Sequence, residues 1–360
     1  MGSTNVSVII IVVQILMMIN MFKTGNSTKL PSTILIFIDS TMDTGNNNYI
    51  NTILKGYHPP YGKNFPSHIP TGRFSDGKLV PDFIASTLQI KEVVPPFLQP
   101  NLSDDELLSG VTFASAGSGW DDLTTLATRV IPLSKQIDMF RDYIRRVKRI
   151  VGDAQEKTNK IISGALVVIS AGTNDFGLNF YVMSTRTIGG YQDFLLYKLQ
   201  YFVKELHGLG CSTMIIAGLP PMGCLPLLQI TAKFMNPFNW KSLEDNNSAA
   251  RLYNYKLSKR ITHLQALLPS SEIVYADIYE SLIDMIRYPY KYGFVATKRG
   301  CCGSGMIEVA FMCNPTTPKC QNSSQFIFGD SIHPSHFAYQ FLSKHLVAEI
   351  LPKLSFNNTL

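Results

Sequence analysis

The stretch TILIFIDS, residues 33–40, decides the fold, because an unbroken run of apolar and β-branched residues leads directly into Asp39 and Ser40. Similar short runs recur at residues 111–114, 165–170, 213–217 and 273–276. Patterns with helical periodicity separate them, at residues 79–88, 132–151, 191–209, 243–268 and 278–288, and Pro334 is predicted to open a last helix to about residue 351. Continuous apolar runs are typical of parallel strands covered by helices on both faces. The sequence therefore predicts an α/β fold with a mainly parallel sheet.

The composition of the 360-residue chain indicates one globular domain. Hydrophobic residues make up 45% and charged residues 16%, which excludes a disordered chain. No repeat or low-complexity tract divides the sequence, so we predict a single domain over residues 32–352. The net charge of +6 fits an anionic surrounding matrix, and no pattern indicates a nucleic-acid-binding module.

The N-terminal segment predicts the compartment. Residues 6–22 are apolar except for three positions, and Lys23 with small or polar residues follows. This is typical of a signal peptide, which we place at residues 1–25. A signal anchor is the alternative, because the run is marginal in length for crossing a bilayer. We expect a secreted, extracellular protein with no transmembrane segment after signal removal, located in the cell wall or apoplast if the source is a plant.

Glycosylation motifs and cysteines point to the same secretory route. Acceptor motifs of the form Asn-x-Ser/Thr stand at Asn26, Asn101, Asn246, Asn322 and Asn357. Within twenty residues lie four cysteines that predict a disulfide-stapled loop of undetermined connectivity, namely Cys301, Cys302, Cys313 and Cys320. Zinc is the alternative, but the spacing has no CxxC knuckle and no intervening His, so we expect no metal. Cys211 and Cys224 are candidates for a third bridge.

Polar residues follow the predicted strands where ligand sites form in open α/β sheets, outside the carboxyl ends of the strands. Asp39 and Ser40 follow the first strand, residues 115–119 the second, and residues 172–175 the third. The segment from Asp330 to Pro334 leads into the final helix and could reach the same rim. We expect these four stretches to meet at one edge of the sheet.

Ser40, His333 and Asp330 supply the three groups that a serine nucleophile requires. A hydroxyl is a weak nucleophile at neutral pH, so it needs a positioned base, and the base needs a third group to fix its tautomer. Asp330 and His333 are three residues apart at a loop-to-helix junction, within reach of direct contact. Ser40 must reach them through the fold.

Two further motifs offer donors for the oxyanion that forms during acyl transfer. In FASAGSG, residues 113–119, glycine allows a close backbone approach, and Gly117 is the preferred donor with Gly119 second. In AGTND, residues 171–175, Asn174 offers a side-chain amide after a strand. Ordinary turn chemistry explains either motif alone, but their joint occurrence favours an acyl-transfer site.

These motifs together resemble the plant GDSL esterase/lipases of the SGNH hydrolase superfamily. The resemblance extends over about residues 32–351. It is carried by IDSTMDTGNNN at 38–48, PTGRFSDGKLVPDFIA at 70–85, VTFASAGSG at 111–119, SAGTND at 170–175, AGLPPMGCLP at 217–226 and FGDSIHPS at 328–335. The resemblance implies a flavodoxin-like three-layer α/β/α sandwich, the SGNH hydrolase fold. It also implies hydrolysis of carboxylic esters without a cofactor.

The resemblance assigns roles to the same residues. The nucleophile falls on Ser40, the base on His333 and its carboxylate on Asp330. The oxyanion donors fall on the Ser40 amide, Gly117 and Asn174. The substrate is expected to be an acyl ester such as a lipid, a cutin-like polyester or an acetylated polysaccharide, and the enzyme is expected to act as a monomer.

One position departs from the family pattern, since the family's Gly-Asp-Ser reads Ile38-Asp39-Ser40 here. If the backbone requires a positive φ at this position, Ile38 strains the nucleophile loop; if the residue only ends a buried strand, isoleucine fits. The alternative to an active esterase is therefore a catalytically impaired binding or structural glycoprotein. An acyltransferase that uses the same triad is a further alternative, because water and alcohols can enter the same acyl-enzyme.

Overall fold

A computed structural model describes residues 30–126, 128–180, 186–235 and 243–354. Within it, Pro31–Leu354 form one compact unit. The predicted signal peptide at residues 1–25 lies outside the described residues, as do the acceptor positions Asn26 and Asn357.

Four parallel strands form the central sheet in the order β1-β2-β3-β4. They are β1 (Ile34–Ile38), β2 (Leu166–Ser170), β3 (Thr213–Ala217) and β4 (Glu272–Ala276). The first three are buried at every position, as their continuous apolar runs predict. Four of the five predicted strands are thereby confirmed.

The fifth predicted strand, residues 111–114, lies beside β1 without forming a regular strand. The N–H of Phe113 donates to the carbonyl of Ile36 at 2.8 Å, and the N–H of Ser115 donates to the carbonyl of Ile38 at 2.7 Å. On its other side the segment pairs with Pro96 through an isolated bridge. On the β1 side, the N–H of Ile38 that the next step of the ladder would use donates to the side chain of Gln136 at 2.8 Å instead, so only an isolated bridge between Ile36 and Thr112 forms. The prediction of a regular strand is wrong, although the segment lies at the expected edge.

Helices cover both faces of the sheet. The described α-helices are α1 (Val80–Thr87), α2 (Asp104–Leu108), α3 (Asp122–Leu126), α4 (Leu133–Ile150), α5 (Gln155–Ser163), α6 (Ile188–Gly208), α7 (Pro226–Met235), α8 (Leu243–Leu267), α9 (Ile278–Arg287) and α10 (His336–Ile350). On one face, Phe37 of β1 packs against Phe140 of α4 and Phe202 of α6, with ring centroids 5.6 and 5.5 Å away. On the other, Val168 of β2 lines a cavity together with Leu346 of α10. This confirms the predicted three-layer α/β/α sandwich.

The last helix begins two residues later than predicted. Ser335 is its N-cap, and its hydroxyl accepts a hydrogen bond from the N–H of Ala338 at 3.3 Å. Pro334 therefore precedes the cap and is not the first helical residue. The cap orders the chain directly after His333.

The cysteine-rich loop connects the two strands of a small second sheet, β5 (Ala296–Gly300) and β6 (Phe326–Phe328). Disulfides join Cys301 to Cys320 and Cys302 to Cys313. The zinc alternative is therefore excluded, because each of the four sulfurs is used in a disulfide bond. Cys211 and Cys224, the candidates for a third bridge, are both free thiols. No helix in the described ranges is long and apolar enough to span a membrane.

Candidate active site

Ser40 lies in a tight turn just beyond the carboxyl end of β1. The carbonyl of Asp39 accepts hydrogen bonds from the N–H groups of Met42 and Asp43, at 3.1 and 2.9 Å. The Asp39 side chain accepts from the N–H and hydroxyl of Thr41, at 3.0 and 2.7 Å. These bonds fix the backbone on both sides of Ser40, whose side chain is half-buried.

The three residues of the predicted triad are in direct contact. The Oγ of Ser40 lies 2.8 Å from Nε2 of His333, and Nδ1 of His333 lies 2.8 Å from Oδ2 of Asp330. His333 and Asp330 are buried, with exposed fractions of 6% and 1%. The fold thus brings Ser40 to His333, which is 293 positions away in sequence, and the contacts follow the order of a Ser-His-Asp triad.

Four donors hold the Asp330 carboxylate in place. Oδ1 accepts from the N–H groups of Ile332 and His333, at 2.9 and 2.7 Å. Oδ2 accepts from the Tyr61 hydroxyl at 2.8 Å in addition to its contact with His333. Charge-assisted bonds of this kind are stronger than neutral ones. The carboxylate is therefore fixed in position and orientation, and it is almost completely buried.

Tyr61 is itself oriented by the disulfide-stapled loop. Its hydroxyl oxygen accepts a hydrogen bond from the N–H of Ala310 at 3.0 Å, so its proton is directed to Asp330. The Tyr61 ring packs in a buried cluster with Ala310, Cys302 and Cys313. Burial and the nearby Asp330 charge raise the pKa of Tyr61 well above its ordinary value, so the hydroxyl stays a donor.

A close backbone approach positions Asp330 from the other side. A Cβ at Gly300 would lie 2.1 Å from the carbonyl oxygen of Asp330, so any larger residue would displace the loop. The ring of Phe74 lies 4.8 Å from that of His333, at a tilt of 31°. Glycine at the end of β5 and an aromatic ring beside the imidazole thus define the space that the pair occupies.

The predicted oxyanion residues lie on two loops that a hydrogen bond connects. Asn174 lines the same cavity as Ser40 and His333, and its side-chain amide donates to the carbonyl of Ser118 at 2.9 Å. Gly117 has a φ of 91°, in the region that favours glycine, and a Cβ there would lie 2.5 Å from the Leu54 side chain. Gly117 is buried beside the cavity rather than in its lining. Gly119 faces Asp175, whose carboxylate would lie 2.2 Å from a Cβ at that position.

Asp39 is a buried carboxyl group next to Ser40. Burial raises its pKa to about 6, although the hydrogen bonds from Thr41 and the charge of His333 act in the opposite direction. Its side chain lines the cavity beside Ser40. Asp39 therefore becomes charged as the pH rises through about 6. Its charge then interacts with the imidazole of His333.

The motif order, the α/β/α sandwich and the Ser40–His333–Asp330 geometry agree with the comparison to known families. Residues 34–346 match the model of the GDSL-like lipase/acylhydrolase family. The chain belongs to this family. Three GDSL esterase/lipases of Arabidopsis thaliana are 52%, 52% and 53% identical to it over 334, 330 and 323 residues. These alignments cover 91%, 89% and 88% of this chain and 92%, 91% and 89% of the relatives.

Family membership confirms the resemblance seen in the sequence and the class of activity that it implies, a carboxylic ester hydrolase. The SGNH hydrolase fold expected from the motifs is likewise confirmed. The described residues contain no cluster of His, Cys, Asp or Glu that could hold a metal ion.

Ile38 departs from the GDSL pattern at a position where the backbone has a positive φ. Its φ is 98°, in the region that favours glycine and that a β-branched residue rarely adopts. It is also the last residue of β1 and is completely buried. Both conditions considered for this position therefore hold together: the residue ends the strand, and it is strained. Its side chain is not part of the cavity lining, so it does not obstruct the site.

Sequence reasoning missed Tyr61 and Gln136, which act on the site from a distance. Gln136 in α4 bonds to the backbone of Ile38, and Tyr61 bonds to Asp330. Neither residue stands in a motif whose spacing indicates chemistry. The sequence offered one signal, for Gln136 alone: it lies on the apolar face of α4, where a glutamine is uncommon because this residue type is mostly exposed.

The asparagines of the predicted glycosylation motifs differ in their exposure to solvent. Asn101 and Asn322 are exposed, as glycosylation requires. Asn246 is only 1% exposed in α8, where the folded chain leaves no space for a glycan. The burial argues against Asn246 as an acceptor.

Proposed function

We propose that this chain is a secreted serine esterase or lipase that hydrolyses acyl esters through an acyl-enzyme on Ser40. The observation that carries the proposal is the continuous chain of contacts from Ser40 through His333 to Asp330, with both links at 2.8 Å. A serine nucleophile, its base and the carboxylate that orients the base need contacts in this order.

In the first step, Nε2 of His333 takes the Ser40 proton while Oγ attacks the ester carbonyl. For this, Nδ1 of His333 must carry its hydrogen, which it donates to Asp330. Asp330 then stabilises the imidazolium by its charge. Collapse of the tetrahedral intermediate transfers the proton from His333 to the leaving alcohol, and a water molecule repeats the sequence to release the acid.

The oxyanion of the intermediate needs hydrogen-bond donors. Within the described residues the N–H groups of Ser40 and Gly117 donate to no other acceptor. Asn174 uses one amide hydrogen to hold the Ser118 carbonyl, which leaves its second hydrogen for substrate. These three donors support the assignment of the oxyanion hole to Ser40, Gly117 and Asn174.

A fluorophosphonate probe together with p-nitrophenyl esters tests this proposal on the mature chain. We expect labelling at Ser40, located by peptide mapping, and ester hydrolysis that falls by at least roughly 10³-fold in Ser40→Ala or His333→Ala. Unchanged thermal unfolding of both variants is the control for folding. Hydrolysis that persists in Ser40→Ala would exclude the mechanism.

A catalytically impaired binding protein is the second candidate, and the φ of 98° at Ile38 is the observation that favours it. The same probe separates the two functions. An impaired protein stays unlabelled as the natural sequence and becomes labelled as Ile38→Gly. An active enzyme is labelled in both forms.

Secretion is supported by the two disulfides, which form in oxidising compartments, and by the exposed acceptors Asn101 and Asn322. Expression of the full chain in a eukaryotic host should deliver it to the medium with an N-terminus near residue 26. Glycosidase treatment should reduce its mass. Asn101→Gln and Asn322→Gln should each remove one glycan, whereas Asn246→Gln should remove none.

A further inference from the structure

A cavity connects the catalytic groups with the interior of the domain. Ser40 and His333 line it at one end, where the other polar lining residues also lie, among them Ser170, Thr173 and Asn174. The hydroxyl of Tyr339 on α10, which the charges of Asp330 and Asp39 influence, belongs to this end as well. Beyond it the lining is aliphatic, contributed by the sheet on one side and by α1, α9 and α10 on the other. The cavity is therefore polar at the reacting atoms and apolar behind them.

The two walls run in parallel away from Ser40. On β2, Ser170, Val168 and Leu166 are alternate residues of one face, and all three line the cavity. They span about 13 Å at ~3.3 Å per residue. On α10, Leu342, Leu346 and Ile350 line the opposite wall and span about 12 Å at ~1.5 Å per residue. The two lengths agree, so the cavity is a slot that follows the strand from its carboxyl end to its amino end.

We propose that this slot binds the acyl chain of the substrate, and that it selects straight, unsubstituted acyl groups of about ten carbons. The inference rests on the proposed function, since it assigns the acyl half of the ester to a place behind Ser40. An extended alkyl chain advances about 1.25 Å per methylene, from C–C bonds of ~1.5 Å, so a slot of about 13 Å accommodates about ten carbons. An acetyl group would leave it empty.

The chemistry of the walls excludes polar chains. Val168 and Ile350 are each 2% exposed and Leu346 is 5% exposed, and none has a side-chain donor or acceptor. A hydroxyl in the middle of the acyl chain would lose its hydrogen bonds to water without replacement. Mid-chain hydroxy-acyl esters and acetylated polysaccharides are therefore poor substrates, and plain fatty acyl esters are good ones.

Hydrolysis of p-nitrophenyl esters from acetate to palmitate tests the assignment. We expect kcat/KM to be highest near decanoate, at least roughly 100-fold above acetate, because each buried methylene favours the bound state. Beyond about twelve carbons kcat/KM should fall. Leu346→Phe fills the middle of the slot and should move the optimum to about six carbons. Ile350→Ala opens its far end and should move the optimum two or more carbons upward.

Leu206→Ala is the matched control, because Leu206 is fully buried in α6 and does not line the cavity. It should lower stability and leave the optimum at decanoate. A preference for acetate, or an optimum that stays in place in both Leu346→Phe and Ile350→Ala, overturns the inference. Fluorophosphonate labelling of Ser40 in each variant separates this result from a loss of the catalytic groups.

Binding without turnover keeps the two proposals distinguishable. The Ser40→Ala protein should bind decanoate by calorimetry, and adding Leu346→Phe should weaken binding at least roughly tenfold. If Ser40 of the natural sequence stays unlabelled while this binding is observed, the esterase proposal fails and the slot remains. If labelling occurs but Ser40→Ala binds acetate as tightly as decanoate, the slot is wrong and the esterase stands.

Discussion

Gln136 holds the backbone of Ile38 from both sides. Its amide oxygen accepts from the N–H of Ile38 at 2.8 Å, and its amide nitrogen donates to the carbonyl of Ile38 at 3.2 Å. Ile38 has a φ of 98°, a conformation that costs a β-branched residue of the order of 1–3 kcal/mol. Such a conformation persists only when the surroundings enforce it, and here a buried side chain of α4 does so two residues before Ser40.

The strain at Ile38 predicts an inverted order of stability for two small residues. A protein with glycine in a strand interior is normally less stable than the same protein with alanine there, by about 0.5–1 kcal/mol. At a φ of 98° alanine keeps the steric penalty and glycine does not, so Ile38→Gly should be more stable than Ile38→Ala by about 1 kcal/mol in urea unfolding. Both should be less stable than the natural sequence, because each removes a buried side chain.

Ile36→Gly and Ile36→Ala provide the control pair, since Ile36 is equally buried in β1 and is not among the positive-φ residues. There alanine should be the more stable variant. If alanine is also the more stable variant at residue 38, the strained conformation is not the one that the protein adopts. We further expect Ile38→Gly to raise kcat/KM for short esters several-fold relative to Ile38→Ala, because a relaxed loop populates the aligned Ser40 more fully.

Tyr61 should contribute to activity through Asp330. Tyr61→Phe removes the hydroxyl that donates to Asp330 at 2.8 Å and leaves the N–H of Ala310 without its acceptor. A hydrogen bond to a charged group contributes about 1.5–3 kcal/mol, so we expect kcat/KM to fall about 10- to 100-fold. Steady-state hydrolysis of a p-nitrophenyl ester measures this. Tyr143→Phe, another fully buried tyrosine that bonds only to a backbone carbonyl, should lose stability and keep its kcat/KM.

The central sheet was predictable because its strands are buried on both faces, which leaves a continuous apolar run in the sequence. Residues 33–38 and 213–217 show such runs, and both form strands. Residues 111–114 show one too, but the N–H of Ile38 that would extend their ladder with β1 donates to Gln136, a tertiary contact that the run does not disclose. Residues 296–300 form β5 with exposed positions such as Lys298 and Arg299, so no apolar pattern indicates them.

The candidate site was predictable to the extent that its residues stand in motifs. Ser40, His333 and Asp330 do, and they meet in the structure. Tyr61 does not, because its contact with Asp330 joins residues 269 positions apart and depends on a loop closed by disulfides. The pairing of the cysteines that close this loop is set by the folded structure and cannot be deduced from a single sequence.

The Cys302–Cys313 disulfide should affect activity as well as stability. It closes the loop that carries Ala310, whose N–H orients the Tyr61 hydroxyl. Replacing both cysteines with alanine should cost about 3 kcal/mol of unfolding free energy and should lower kcat/KM in a similar range to Tyr61→Phe. The cysteine and tyrosine changes should not be additive, because both remove one bond to Asp330. Additive losses in kcat/KM in the combined variant would show that the loop acts by another route.

Burial of Asp39 predicts how stability depends on pH. The folded-state pKa of Asp39 is about 6, above its ordinary value of 3.8. Between these values the folded state binds more protons than the unfolded state, so the free energy of unfolding should fall as pH rises from about 4 to about 6. Asp39→Asn keeps an oxygen for both Thr41 donors and cannot ionise. The variant should therefore match the natural sequence near pH 4 and exceed it by about 2–3 kcal/mol above pH 7. Urea unfolding at pH 4, 5, 6 and 7 measures the difference between the two proteins, which cancels the carboxyl groups that they share. A difference that is constant over this range would mean that Asp39 is already charged at pH 4, held by Thr41 and His333 despite its burial.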